Sequence, residues 1–310
     1  MKKEVGFVGL GNMGKNMVLH LLEKGYVVHA WNRSPEPREE VKKAGAKVYG
    51  SIPELIAALP APKVIWSMVS AGEATDLIIE QATTDADPKR ALGKGDIIID
   101  GVNSFYKDTL LRAGMLEEKG ISLIDCGVSG GIEAARNGAC IMAGGDTAAF
   151  AQIEPLVADL AAEGGYGYFG KSGSGHYVKM VHNAIEYGIM QALGEGMNLL
   201  NKSPFSNVDL VKLTEVWNHA SIISGNLIKF LNAALQKDPK LDNSPAVIGS
   251  LGTGKWAVQE ALDLEVPLPV IAASVLERYA SRGNSAFTGK VISALRTEFG
   301  GHSENERDVK

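Results

Sequence analysis

The chain has 310 residues, about twice the roughly 150 of a typical domain, so two domains are expected. Lys and Arg total 31 against 36 Asp and Glu, and 45% hydrophobic with 22% charged residues is ordinary globular composition; the net charge of −5 argues against nucleic acid or an anionic membrane as the main partner. Cys126 and Cys140 are too few for a disulfide framework, and the glycine-broken run after Met1-Lys2-Lys3-Glu4 is too short for a membrane span and lacks a cleavage site, so a cytoplasmic protein is expected.

Val5-Gly6-Phe7-Val8 is a short apolar run ending in glycine turns and reads as a buried parallel strand. Helical spacing over residues 15–24 puts Met17, Leu21 and Leu22 on one side, with Gly25 at the expected C-cap. Residues 26–31 read as the next strand. Strand and helix patterns then alternate over residues 64–69, 74–81, 96–100, 109–118 and 122–126, with Pro60, Pro62 and Pro88 punctuating the connections. Strands separated by helices of this length predict a doubly wound parallel sheet with helices on both faces. After about Gly175 only helical patterns remain, over residues 177–201, 207–219, 224–236 and 269–282, with a short helix at 291–299 before a frayed end. The expected division is a dinucleotide-binding domain at 1–176, an all-α domain at 177–290 and a terminal helix and tail at 291–310.

Gly9-Leu10-Gly11-Asn12-Met13-Gly14 is a G-x-G-x-x-G loop that directly follows the first strand and opens a helix, which is the context that gives the motif meaning. Gly9 permits the tight turn, Gly11 lets backbone approach a pyrophosphate at the helix N-terminus, and Gly14 allows close helix–strand packing. Where an acidic residue would hold the ribose of NAD, the second strand ends in Asn32-Arg33-Ser34. Arg33 can pair with a 2′-phosphate and stack on adenine, which favours NADP over NAD.

Lys179, His182, Asn183 and Glu186 are spaced i, i+3, i+4 and i+7, so they share one face of the long helix. Val178, Met180, Val181, Ala184 and Ile185 between them predict an interior helix. A buried lysine loses charge by desolvation and becomes a competent base near neutral pH. Val128-Ser129-Gly130-Gly131 and Asn103-Ser104 are both expected just past strand ends, at the carboxyl edge where doubly wound sheets bind ligands.

Together, residues 9–14, Asn32-Arg33-Ser34, Asn103-Ser104, residues 128–131 and the run Lys179-Met180-Val181-His182-Asn183-Ala184-Ile185-Glu186-Tyr187 resemble the 6-phosphogluconate dehydrogenase family. Gly252-Thr253-Gly254-Lys255-Trp256, and then Arg296, Phe299, Gly300 and His302, are similar to its later signatures, so the likeness runs in order from the first strand to residue 302. The length resembles the family's short form, which lacks the second half of the longer members' helical domain. Relatives of the 3-hydroxyisobutyrate dehydrogenase type, acting on small 3-hydroxy acids, usually carry Lys followed by two adjacent asparagines instead.

The resemblance implies NAD(P)-dependent oxidative decarboxylation of 6-phospho-D-gluconate to D-ribulose 5-phosphate and carbon dioxide, a pentose phosphate pathway reaction, without a metal. It implies Lys179 as the base at the C3 hydroxyl and then the acid at the resulting ketone, with Glu186 protonating C1 of the enediol. Ser129, Gly130 and Gly131 would hold the carboxylate, and Asn103, His182 and Asn183 the sugar hydroxyls. Tyr187, Thr253, Lys255 and Arg282 would face the phosphate, with Arg278 the alternative arginine. Val69, Ser70, Ala71 and Asn103 would join the glycine loop in lining the cofactor. Arg296 and His302 would reach the neighbouring subunit's site, making a homodimer the smallest active unit. Two departures bear on this: Leu251 and Ser70 stand where longer members carry lysines, the first near the phosphate and the second near the adenosine. Two other readings stay open on the residues. A non-decarboxylating 3-hydroxyacid dehydrogenase would have no use for the cations Lys255, Arg282 and Arg296. A non-catalytic dinucleotide sensor would tolerate loss of Lys179 and Glu186.

Overall fold

A computed structural model describes residues 3–205, 208–250, 252–283, 287–288 and 290–292. Two compact units divide the chain, the first ending at Val181 and the second beginning at His182.

The first unit alternates strands and helices. In order these are β1 (Glu4–Val8), α1 (Asn12–Glu23), β2 (Val27–Trp31), α2 (Pro35–Lys43), β3 (Lys47–Val48), α3 (Ile52–Ala57), β4 (Val64–Ser67) and α4 (Glu73–Thr83). There follow β5 (Ile97–Asp100), α5 (Tyr106–Glu117), β6 (Ser122–Ser129), α6 (Gly131–Asn137), β7 (Ala139–Gly145), α7 (Thr147–Leu160) and β8 (Ala161–Tyr168). They form one sheet of order β3-β2-β1-β4-β5-β6-β7-β8. Successive strand side chains point to opposite faces, and both faces are apolar here. Val5, Phe7, Ile97 and Ile99 pack with Met17 and Leu21 of α1 and Ile153 and Leu156 of α7. Val8, Ile65 and Ile98 pack on the other face with Leu55 of α3, Ile78 of α4 and Leu116 of α5. Each fully buried Leu or Ile contributes about 1.5–3 kcal/mol, so this two-sided burial is the main source of the unit's stability.

The six strands from β3 to β6 are parallel, in the doubly wound form expected. β7 then runs antiparallel to β6, a reversal not foreseen from sequence. A parallel return needs a crossover of about a dozen residues or more, and the connection through the single short helix α6 is too brief for one. The 14-residue α7 is long enough, and β8 is parallel to β7. Two strands also end elsewhere than expected. β4 stops at Ser67, which releases Met68–Ser70 as a loop, and β6 continues through Ser129 because its pairing with β7 extends to Ser129↔Cys140.

The helix α8 (Ser174–Asn201) starts in the first unit and runs on past the boundary at Val181. The second unit then holds α9 (Leu210–Trp217), α10 (Asn226–Lys237), α11 (Thr253–Asp263) and α12 (Pro269–Ala280), and no strand among its described residues. α11 was not expected as a helix. The expected helix at 291–299 lies, from residue 293 on, outside the described residues, as do Leu251, Arg296 and His302.

Candidate active site

The glycine loop follows β1. Gly9 has φ +96°, in the left-handed region, and a Cβ there would overlap the Met68 carbonyl. A Cβ on Gly14 would overlap the Gly9 carbonyl oxygen, so only glycine lets α1 pack this close to the turn. Gly11 is different. Nothing lies within 4 Å of its missing Cβ, and as N-cap of α1 it leaves the first-turn N–H groups without a side-chain cap. Open space before uncapped amides at a helix N-terminus fits the pyrophosphate of a dinucleotide.

These residues line a cavity of about 610 Å³ that continues past Asn32, Arg33, Val69, Ser70 and Asn103. Arg33 is exposed at this lining, its guanidinium open to a ligand. Asn12 and Met13 also line it. Leu10 and Asn32 also hold the framework, Asn32 while lining the cavity. The Leu10 side chain is buried in the core, and its N–H donates to Asn32 Oδ1 at 2.9 Å; the Asn32 amide donates in turn to the Ser34 carbonyl at 3.1 Å. Ser34 is the N-cap of α2, and Ala71 is exposed; neither is among the lining residues. Sequence reasoning missed Trp31, Leu77 and Gln81, which do line the cavity. Trp31 ends β2 and could have been found from the strand pattern; the two α4 residues carried no signal.

Lys179 is positioned by β6 and the first turns of α8. Asp125 of β6, fully buried, accepts from Gly173 N–H at 2.7 Å and His176 N–H at 2.8 Å, and so caps the start of α8. Two residues along, a Cβ on Gly127 would overlap that of Lys179, and a Cβ on Gly175 would overlap the Met142 carbonyl. Glycine on both elements lets α8 lie directly on the strands. Lys179 is buried there, 7% exposed. His176, also buried, bonds Thr109 Oγ1 at 2.7 Å and the Asp100 carbonyl at 3.1 Å, which ties α8 to the end of β5 just before Asn103. Burial pushes the Asp100 carboxyl above the usual carboxylate range, while the His176 ring, the Val102 N–H, Arg112 and Ser104 act in the opposite direction. Ser129 is the last residue of β6 rather than a residue beyond it. Gly130, φ +111°, turns the chain into α6, which Gly131 begins.

In the second unit, His182 Nδ1 lies 3.0 Å from Asn183 Oδ1, and Glu186 is half-buried. The α8 flanks differ from expectation. Met180 and Ala184 are buried, but Val181, Ile185 and Ile189, four residues apart on another face, are exposed. Tyr187 is buried, with the Arg278 guanidinium 3.7 Å from its ring centre and its hydroxyl 3.4 Å from Ser250 Oγ. Arg278 also donates to the Gly249 carbonyl at 2.6 Å. Thr253 is buried at the start of α11, and Lys255 is exposed. Arg282 is exposed and donates to the Ile248 carbonyl at 3.3 and 3.4 Å. Among the described residues there is no cluster of potential metal ligands, and no helix is long and apolar enough to cross a membrane.

Residues 4–170 match the model of the NAD binding domain of 6-phosphogluconate dehydrogenase, and residues 175–306 match that of the enzyme's C-terminal domain. The YqeC protein of Bacillus subtilis is 42% identical over 304 residues, covering 98% of this chain and 100% of its own. The NAD(+)-dependent, decarboxylating 6-phosphogluconate dehydrogenase of Haloferax volcanii is 37% identical over 308 residues, covering 98% and 99%. A solved structure of Plasmodium falciparum 6-phosphogluconate dehydrogenase, studied with NADP+ and with 6-phosphogluconate, superimposes with a TM-score of 0.80 at 30% identity, over 99% of this chain and 67% of that one. Two consecutive family domains spanning residues 4–306, matched end to end by relatives of the same length, mean that the chain belongs to the 6-phosphogluconate dehydrogenase family, in its short form.

Proposed function

We propose that the chain converts 6-phospho-D-gluconate to D-ribulose 5-phosphate and carbon dioxide, with NAD(P) as the oxidant, and that Lys179 is its general base and acid. The observation that carries this reading is the buried Lys179 at the start of α8, in a chain whose two halves both match the family. The nicotinamide, when bound along the glycine-loop cavity, supplies the acceptor for the C3 hydride. Lys179 takes the proton of the C3 hydroxyl, and its burial keeps bulk water from competing for that proton. The same amine, now protonated, donates to the C3 ketone oxygen as the carboxylate leaves as carbon dioxide. Glu186, seven residues further along α8, gives a proton to C1 of the enediol while Lys179, neutral again, takes back the proton of the former C3 hydroxyl, which leaves the ketone of the product. One proton acceptor that cycles and one separate acid meet the proton balance of the reaction.

The carboxylate is assigned to Ser129 Oγ and the backbone amides of Gly130 and Gly131, and the sugar hydroxyls to Asn103, His182 and Asn183. For the phosphate we favour Tyr187, Thr253, Lys255 and Arg278; the stacking of Arg278 on Tyr187 is what prefers it to Arg282. Arg296 and His302 complete the neighbour's site in a homodimer. Exposed Arg33 supports NADP, while Ser70 and the NAD(+)-dependent relative keep NAD in the comparison.

The test is initial-rate kinetics with 6-phosphogluconate and each cofactor, with carbon dioxide measured alongside. Reduced cofactor and carbon dioxide in equal amounts are expected; reduction without carbon dioxide, or none at all, overturns the assignment. Lys179→Met is expected to abolish turnover while dinucleotide binding persists, and retained turnover would remove Lys179 from its role.

A further inference from the structure

Arg112, on α5, is 3% exposed, yet its guanidinium is spent on loops rather than on the core. Nη2 donates to the Gly72 carbonyl at 3.4 Å, and Nε donates to Asp76 Oδ1 at 2.7 Å, both just after the loop that β4 releases. Nη1 donates to Ser104 Oγ at 3.3 Å and lies 3.9 Å from the Asp100 carboxylate. Ser104 passes the bond on, donating to Asp100 Oδ2 at 3.2 Å, and Asp100 Oδ1 accepts from Val102 N–H at 3.1 Å. One planar, always charged fork therefore joins the loop after β4 to the loop after β5. These same two loops present Val69 and Ser70 on one side, and Gly101 and Asn103 on the other, to the glycine-loop cavity.

We propose that Arg112 is a positioning residue, which clamps the β4 and β5 loops together so that the dinucleotide cavity and Asn103 are formed before ligand binds. Part of this rests on the proposed reaction, since Asn103 is assigned there to the substrate; the dinucleotide part does not. The bonds on the β5 side run in one direction, from Arg112 through Ser104 to Asp100, and both acceptors there are buried, so water does not replace that half of the fork. Lysine has no such fork. It can reach one loop or the other, but not both with directed bonds.

The experiment compares wild type with Arg112→Met and Arg112→Lys in the full chain, reading NADPH binding by calorimetry and kcat with 6-phosphogluconate. If only about one molecule in ten keeps the loops assembled, the Kd rises about tenfold with the number of sites per chain unchanged. The kcat is expected to fall by up to about 100-fold, because an ångström of misplacement at the substrate costs that much. A role confined to stability would lower the number of binding sites and leave the Kd alone. Added methylguanidinium is expected to restore tight NADPH binding to Arg112→Ala and to leave Arg112→Lys unchanged. Should the Arg112 variants fail to fold, Asp76→Asn decides, since the Asp76 side chain is 56% exposed and Arg112 keeps the Asp100 carboxylate at 3.9 Å. A Kd about threefold higher is expected there. A Kd within the error of wild type in every folded variant overturns the proposal. A raised Kd beside a wild-type enzyme that releases no carbon dioxide upholds Arg112 and overturns the substrate assignment instead.

Discussion

Gly127→Ala is the most direct test of how Lys179 is held. A Cβ added at Gly127 would overlap Lys179 Cβ, stand 2.8 Å from Lys179 Cγ and 3.2 Å from the Gly175 carbonyl oxygen. Carbon atoms in contact sit about 3.5–4.0 Å apart, so one partner must retreat by roughly 1 Å. β6 cannot, because Gly127 pairs with Met142 of β7 and the residues before it pair with β5. The first turns of α8 must move, against the two bonds that Asp125 accepts from Gly173 and His176. Overpacking of this kind costs about 1–3 kcal/mol, a fall of a few degrees in Tm. A displacement of about 1 Å at a base costs up to about 100-fold in kcat, or about 2.7 kcal/mol of transition-state stabilisation. The assay is kcat at saturating 6-phosphogluconate, beside a thermal melt and the NADPH Kd. A large loss of kcat with a modest fall in Tm and an unchanged Kd is expected. A kcat within threefold of wild type would refute the claim that this contact sets the position of Lys179.

Asp125→Ala should remove the cap of α8 and leave two buried N–H groups unpartnered, at a cost of about 2–4 kcal/mol; a lower denaturant midpoint at unchanged m-value checks this. Asp100 makes a pH prediction of definite sign. Its folded pKa lies above the ordinary 3.8, so the folded state holds the proton longer and stability falls as pH rises from 3.8 through the folded value. Within that window the slope is at most about 1.4 kcal/mol per pH unit, and Asp100→Asn should flatten it in a series of urea titrations. Arg33→Ala should raise the KM for NADP about 10- to 100-fold and that for NAD little, as the loss of one charge-assisted contact to a 2′-phosphate requires. Equal effects on the two cofactors would place Arg33 outside the phosphate site.

Much of the first unit was legible because its physics is periodic. Runs such as Ile97-Ile98-Ile99 announce a strand buried on both faces, and a glycine loop between strand and helix announces its ligand. The antiparallel β7 was not legible, since its direction is decided by the length of the connection through α6 rather than by any residue in the strand. Asp100, Arg112 and Asp125 were missed for another reason. Charged residues in a sequence read as surface, and their burial becomes evident only when β5, α5 and β6 are packed together in the fold.

Those missed residues bear on chemistry more than their anonymity in the sequence suggests. The proposed reaction gives the proton transfers to Lys179 and Glu186, and an amine transfers a proton usefully only where it is held to within a fraction of an ångström. That holding is done by groups with no part in the reaction: a carboxylate that caps α8, an imidazole that ties the helix to β5, and glycines that remove everything between helix and strand. Each acts on where Lys179 is held, so each should lower kcat when altered without changing which proton is moved. A set of variants at Gly127, Asp125 and His176 should therefore share one pH profile with the wild type, displaced downward. A variant whose profile also shifts along the pH axis would show that its residue acts on the charge of Lys179 rather than on its position.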